Sequence, residues 1–119
     1  MAIDFENASA TKDNTDLPNF QVGLEILDLG RVQSCPLEEM ITTHNFASGS
    51  PAYCNQAAKR FLFGKTNTVQ KKDMITQIES YIPKGRDITL VGHDIRHDLM
   101  ALDNLEWTFK KSVVAALDT

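Results

Sequence analysis

The chain opens with a six-residue alternation of apolar and polar side chains. Ile3 and Phe5 fall on one side of this segment, and Asp4 and Glu6 fall on the other. A period of two is typical of a β-strand with one buried and one open face. Residues 1–6 are therefore predicted to form a strand whose open face carries two carboxylates.

Two more strands are predicted in the first half of the chain. Residues 20–29 alternate between apolar and polar positions, and the β-branched segment 41–46 predicts the next strand. The polar residues 7–19 predict a loop. Residues 35–40 predict one helical turn with Pro36 at its first position. The three strands would pair as an antiparallel meander.

The second half of the chain alternates between helical spacing and short apolar runs. Residues 52–63 suggest a short helix, and residues 70–82 and 94–105 have the apolar stripe of longer ones. The runs 88–91 and 113–117 are too short for helices and are predicted to be buried strands. The order β-β-β-α-α-β-α-β predicts a single α/β domain. A buried last strand usually needs one more covering helix, so we expect this domain to be incomplete at its C-terminus.

Composition restricts the class of protein. The chain has 119 residues, of which 42% are hydrophobic and 24% are charged, as in a soluble globular domain. It has no apolar run of the roughly 20 residues that a membrane span needs, and no signal-peptide pattern at its start. We therefore expect a protein of the nucleus or cytoplasm without membrane contact, in which Cys35 and Cys54 are free thiols.

The net charge of −4 is unevenly distributed. Residues 1–54 hold two basic and eight acidic side chains, whereas residues 55–119 hold ten basic and eight acidic ones. An acidic chain does not bind nucleic acid through its net charge alone. Two divalent cations at an acidic site would cancel the whole deficit, which leaves nucleic-acid binding open.

The Asp4-x-Glu6 pair is the first candidate for chemistry. A spacing of two residues on a strand sets both carboxylates on one face, about two rises of roughly 3.3 Å apart. Such like charges repel unless a cation lies between them, and carboxylate oxygens suit Mg²⁺ or Mn²⁺. The alternative is an ordinary solvated strand face, because such pairs are common there.

The second candidate is the segment 91–98, where a buried strand passes into a helix. Free main-chain N–H groups and the positive end of the helix dipole would attract phosphate there, so His93, Asp94 and Arg96 are predicted nucleic-acid contacts. The spacing of Asp94 and Asp98 would set both carboxylates on one helical face. Asp94 has an equally good alternative as an N-cap. Asp98 lies in the first full turn, where the helix should meet the sheet.

His93 and His97 are four positions apart, a spacing that can bind zinc. The chain offers no cysteine cluster and only His44 as a further histidine. We therefore expect His97 to be a packed or solvent-facing side chain rather than a zinc ligand.

Three segments taken together resemble a known superfamily. They are Asp4-Phe5-Glu6, the run from Leu90 to Leu99, and Leu117-Asp118-Thr119. In order and spacing they are similar to the DEDD 3′–5′ exonucleases of the ribonuclease H-like fold. In that superfamily an Asp-x-Glu strand precedes a Gly-His-Asn-x-x-x-Asp helix start.

The resemblance is strongest to a fungal branch of that superfamily. This branch includes a group named for being good for full DEAD-box activity and an Argonaute-interacting exonuclease. In these proteins the second motif commonly reads like the segment 91–99 here. An element similar to Phe61-Leu-Phe-Gly64 precedes it.

The resemblance implies a ribonuclease H-like mixed sheet with flanking helices, and two-metal phosphodiester hydrolysis with Mg²⁺ or Mn²⁺. It assigns Asp4, Glu6 and Asp98 as catalytic metal ligands. Asp94 stands where many relatives have Asn, which leaves its role open, and Asp118 matches a strand-end position outside the metal site. The last family motif, a Tyr or His before a final Asp, has no counterpart in this chain. We therefore expect the chain by itself to have little or no activity.

Three functions remain open on the sequence. The first is a 3′–5′ exonuclease-like domain that acts on RNA or DNA. The second is a non-catalytic relative that binds nucleic acid or an RNA-metabolism protein, as a scaffold in RNA metabolism or export. The third is an unrelated α/β domain with accidental motifs.

Overall fold

The computed structural model describes residues 1–15, 17–31 and 33–119, which form six strands and four α-helices. The strands are β1 (Ala2–Glu6), β2 (Phe20–Leu27), β3 (Ile41–Ser48), β4 (Thr66–Thr68), β5 (Ile88–Gly92) and β6 (Val113–Asp118). The helices are α1 (Leu37–Met40), α2 (Pro51–Arg60), α3 (Met74–Ser80) and α4 (Ile95–Asn104). The predicted α/β class is confirmed.

The strands form one mixed sheet in the order β4-β3-β2-β1-β5-β6. The predicted antiparallel meander of β1, β2 and β3 is confirmed. β5 then pairs parallel with β1, and β6 pairs parallel with β5. β1 therefore lies between an antiparallel and a parallel partner, which places Asp4 and Glu6 near the middle of the sheet.

The main core lies on the face of the sheet that carries Ile3 and Phe5. Helices α3 and α4 pack there because each has an apolar stripe at helical spacing. The largest fully buried apolar side chains are Phe20, Phe46, Leu24, Met74, Ile78, Leu90, Leu102 and Val22.

Helix α2 belongs to a separate, smaller cluster, in which Cys54 and Ala57 pack with Ala47 of β3. The strand register sets Ala47 on the same side of the sheet as Asp4. Helix α2 therefore covers the β3 end of the open face, beside the carboxylates of β1.

Part of the predicted loop at residues 7–19 is ordered as a 3-10 helix, Ala8–Lys12. The Thr11 hydroxyl donates to the carbonyl of Ala8 at 2.6 Å and accepts from Asn104 Nδ2 at 3.0 Å. These bonds attach the turn to the end of α4. The turn buries small and polar side chains, which gave no apolar periodicity from which to predict it.

The prediction that residues 113–117 form a buried strand is wrong. In the described structure β6 lies at the edge of the sheet and pairs with β5 on one side. Val114 is 62% exposed and Leu117 is 54% exposed. An apolar run identifies a strand, but it does not decide whether that strand lies inside the sheet or at its edge.

Smaller differences concern element bounds. β4 is a short strand that the sequence did not predict, since its three residues are polar; it pairs parallel with β3. Helix α2 ends before residue 61, and a 3-10 turn over Lys71–Asp73 precedes α3. Pro36 stands immediately before α1 instead of in its first position.

Cys35 and Cys54 are free thiols, as predicted. Over the ranges that the structure describes, no helix is long and apolar enough to cross a membrane.

Candidate functional site

The carboxylates of β1 extend from the open face of the sheet. Asp4 and Glu6 are exposed, whereas Ile3 and Phe5 on the other face are buried, so the predicted alternation is confirmed. The two carboxylates line different cavities. Asp4 lines a cavity of about 500 Å³, and Glu6 lines one of about 480 Å³.

Asp98 reaches β1 from the first turns of α4. The register between β1 and β5 includes Ala2 and Val91 and does not extend to Phe5. The Phe5 N–H donates instead to Oδ1 of Asp98 at 2.9 Å. The Asp98 side chain is therefore held against the backbone of β1 between Asp4 and Glu6, where it takes the place of a strand partner.

The second oxygen of Asp98 is buried and has no hydrogen-bond partner. It lies against Gly92, where an added Cβ would come within 2.9 Å of it. Burial raises the pKa of Asp98 above its ordinary value, and the negative charge of Asp4 raises it further, while the Phe5 N–H opposes the rise. An unsatisfied buried carboxylate beside a second carboxylate has the donor chemistry that suits a hard divalent cation.

The charge of Asp4 acts on Asp98, whereas Glu6 and Asp4 line separate cavities. In residues 1–15, 17–31 and 33–119, no three His, Cys, Asp or Glu side chains are grouped so that they could hold a metal ion. The metal-ligand roles of Asp4, Glu6 and Asp98 therefore stay predictions. The buried, unsatisfied oxygen of Asp98 fits Mg²⁺ or Mn²⁺ in charge and hardness.

Asp94 stands at the N-cap position of α4 in a left-handed conformation, with φ 52° and ψ 52°. Its side chain makes no capping hydrogen bond. The carboxylate pairs with Arg96 at 3.2 Å and with His97 at 3.0 Å. Asp94 thus faces the surface while Asp98 is buried, and the two carboxylates do not share one helical face as the spacing predicted.

The end of β6 contacts the start of α4. The Ile95 N–H donates to Oδ1 of Asp118 at 3.4 Å. The ring Nδ1 of His93 lies 3.1 Å from the carbonyl oxygen of Thr119. His93 is thereby fixed at the rim of the cavity that Asp4 lines.

His97 faces solvent, as predicted, and its partner is Asp94. His93 bonds to a different group, and among the described residues the two histidines do not form the zinc site considered above. No contact in the structure tests the nucleic-acid roles of His93, Asp94 and Arg96, which remain predictions.

Four side chains that did not stand out as chemical candidates line the two cavities. Phe61 and Phe63 line the cavity of Asp4. Tyr53 and Arg60 line the other cavity, together with Phe61. The aromatic pair belongs to the Phe-x-Phe-Gly element noted in the sequence, whereas Tyr53 and Arg60 carried no signal beyond their place on a short helix.

An antiparallel meander continued by parallel strands, with helices packed against it and an acidic first strand, defines an α/β domain with a ribonuclease H-like fold. The chain belongs to the family described as DNA polymerase III subunit epsilon-like, C-terminal domain, whose family model matches residues 2–119. This family lies within the DEDD exonuclease superfamily that the sequence resembles, and its exonucleases typically use divalent metals. A search of curated proteins finds no match.

Proposed function

We propose that this domain carries the central carboxylates of a 3′–5′ exonuclease site that hydrolyses nucleic acid by a two-metal mechanism. The observation that carries the proposal is the buried carboxylate of Asp98. It is hydrogen-bonded to β1 through one oxygen, is unsatisfied at the other, and lies in the field of Asp4. Burying such a group is costly unless a positive charge offsets it.

Each residue of the chain would have a distinct task in this mechanism. Asp98 would present its free oxygen to a cation, because the Phe5 N–H fixes the orientation of the carboxylate. Asp4 would supply a second oxygen from the open face, where solvent and substrate have access. Glu6 lies two residues further along β1 on the same face. It would supply its carboxylate oxygens to a cation from the side of the second cavity. When bound, the divalent ions would activate water and stabilise the leaving 3′-oxygen.

The start of α4 would guide the substrate to these carboxylates. His93 lies at the rim of the Asp4 cavity, and Arg96 is largely exposed although it is paired with Asp94. Phosphate would meet the N-terminus of the helix on this side. We propose His93, Asp94 and Arg96 as nucleic-acid contacts on this basis.

The resemblance to the fungal exonuclease branch supports a setting in RNA metabolism, in the nucleus or cytoplasm. It rests on the run from Val91 to Leu99 and on Phe61-Leu-Phe-Gly64. In that setting an RNA-metabolism protein would be a second partner beside RNA or DNA.

Metal binding tests the proposal directly. Mn²⁺ binding to the whole chain is followed by the relaxation of water protons, for the natural sequence and for Asp4→Asn and Asp98→Asn. We expect binding that each substitution abolishes. Asp103→Asn is the matched control, because Asp103 lies on the same helix but at the surface, where it pairs with Lys110. Equal Mn²⁺ binding by all four proteins would contradict the proposal.

A cleavage assay tests whether the chain by itself is catalytic. A single-stranded oligonucleotide labelled at its 5′ end is incubated with the protein and Mn²⁺. Stepwise shortening from the 3′ end that Asp98→Asn abolishes would support catalysis. Metal-dependent binding without shortening is what we expect of this chain by itself, and it would be equally compatible with the scaffold role.

A further inference from the structure

We propose that Arg60, Phe61 and Phe63 form a subsite for single-stranded nucleic acid, in which Phe63 stacks on a base above Asp4 and Arg60 contacts a phosphate beside Glu6. The inference deepens the proposed function and rests on it, since it assigns the path of the substrate strand over the carboxylates of β1.

The two cavities on the open face share one wall. Phe61 lines both the cavity of Asp4 and the cavity of Glu6. Phe63, two positions further on, lines the first cavity, and Arg60, immediately before Phe61, lines the second. The segment that ends α2 therefore passes over both carboxylates, which are two positions apart on β1.

Phe63 is placed as a stacking surface. Its side chain is 79% exposed, which is unusual for a large aromatic group. Phe61 supports it edge to face, with ring centroids 6.2 Å apart and an interplanar angle of 71°. An edge-to-face neighbour leaves a face of the Phe63 ring open to a base. A cavity of about 500 Å³ has room for an unstacked base.

The second cavity is polar and combines groups that suit a phosphate. Arg60 stands in the last turn of α2, next to Lys59. Tyr53 lines the same cavity, and burial raises the pKa of its hydroxyl, which is a hydrogen-bond donor. A guanidinium and a hydroxyl donor both bind phosphate oxygens, whereas neither group would favour an apolar peptide.

The pattern of basic and aromatic side chains favours nucleic acid over a protein partner. Apolar protein docking would use Leu62 as well as Phe63, since Leu62 is 82% exposed. Leu62, however, lines neither of the two cavities. Binding of a base in the Asp4 cavity would therefore depend on Phe63 and not on Leu62, whereas docking of an apolar protein surface would depend on both. This difference distinguishes the two kinds of partner.

The test measures binding without cleavage. Fluorescence anisotropy of labelled single strands of about 10 nucleotides, one of RNA and one of DNA, is recorded in EDTA with the whole chain. Phe63→Ala should weaken binding by about 5- to 150-fold, the range for loss of one stacked base. Leu62→Ala is its matched control and should leave the affinity unchanged. Thermal melts of each variant show that the fold is retained.

Salt titrations test the phosphate contact. Arg60→Gln should reduce the slope of log K against log salt by about 0.7, the value for one phosphate contact in a single strand. Lys59→Gln removes the same charge from the neighbouring position and should change the slope less. The RNA and DNA arms then show whether the subsite prefers one sugar.

Three outcomes would overturn the inference: no binding of either single strand, equal losses for Phe63→Ala and Leu62→Ala, or equal slopes for Arg60→Gln and Lys59→Gln. Because EDTA removes divalent ions, these results do not depend on a metal site. Failure of the proposed exonuclease function would appear separately, as absent Mn²⁺ binding while single-strand binding persists.

Discussion

The main-chain N–H of Phe5 donates a hydrogen bond to the carboxylate of Asp98 at 2.9 Å, although the two residues are 93 positions apart in the chain. The contact joins the centre of the sheet to the helix that follows β5. The paired register between β1 and β5 is short and leaves the Phe5 N–H without a partner on β5. The Asp98 carboxylate satisfies this buried donor.

Asp98→Ala should destabilise the fold, because it leaves the Phe5 N–H without an acceptor in a buried position. We expect a loss of about 1–3 kcal/mol in the free energy of unfolding, measured in urea. Asp98→Asn keeps an acceptor and removes a buried charge, so it should be at least as stable as the natural chain at neutral pH without metal. A larger loss in the free energy of unfolding for Asp98→Asn than for Asp98→Ala would contradict this explanation.

The stability of the domain should depend on pH through Asp98. Its pKa is raised in the fold, chiefly by burial, above the ordinary value of 3.8. The folded state therefore holds this proton more tightly than the unfolded state. The resulting contribution to stability is fully present below about pH 3.8 and is lost as pH rises through the folded pKa. The free energy of unfolding of the natural chain should fall relative to Asp98→Asn over that interval, in urea titrations at a series of pH values. A constant difference would show that Asp98 does not titrate there.

Gly92→Ala should be poorly tolerated, because the new Cβ would lie 2.9 Å from Oδ2 of Asp98 and 3.1 Å from Cγ1 of Ile95. We expect a cost of about 1–3 kcal/mol in the free energy of unfolding. Gly23→Ala is the matched control, since its Cβ would meet Asn45 at 3.9 Å, an ordinary contact. Thermal melts compare the two variants. Equal melting temperatures would mean that the carboxylate can move away at little cost.

His44 should contribute an opposite pH dependence at higher pH. Its ring stacks on Tyr81 with centroids 3.8 Å apart, and burial lowers its pKa below the ordinary value of 6.5. Because the folded state resists protonation, this contribution is present above about pH 6.5 and is lost as pH falls through the folded pKa. The variant His44→Phe keeps an aromatic ring. Its free energy of unfolding should fall less than that of the natural chain as the pH is lowered from neutral to about 5. An unchanged pH profile would exclude His44 as the cause.

Most of the sheet could be predicted from the sequence, because strands that are buried on one or both faces have a recognisable pattern of apolar residues. The alternation around Ile3 and Phe5 and the runs at 20–29 and 88–91 are such patterns. The edge strand β4 could not, since its polar residues have no burial pattern. The burial of β6 was predicted wrongly, because position in a sheet depends on the neighbours that a strand finds.

The metal-ligand roles of Asp4, Glu6 and Asp98 stay predictions. The hydrogen bond of Asp98 to β1 agrees with the expectation that the first turn of the helix meets the sheet. The left-handed conformation of Asp94 has no signal in the sequence, because Asp is an ordinary N-cap residue. The tight approach of Gly92 to Asp98 also depends on tertiary packing that no local pattern encodes.

The parallel pairing of β1 with β5 has a consequence for how the domain folds. The meander of β1, β2 and β3 joins strands that are near in sequence, whereas Asp98 reaches β1 only after most of the chain has been placed. Closing so long a loop is slow compared with forming a hairpin. The arrangement of Asp98 against β1 should therefore form late in refolding. The titration of Asp98 or its cation binding would then serve as a kinetic marker of the native state.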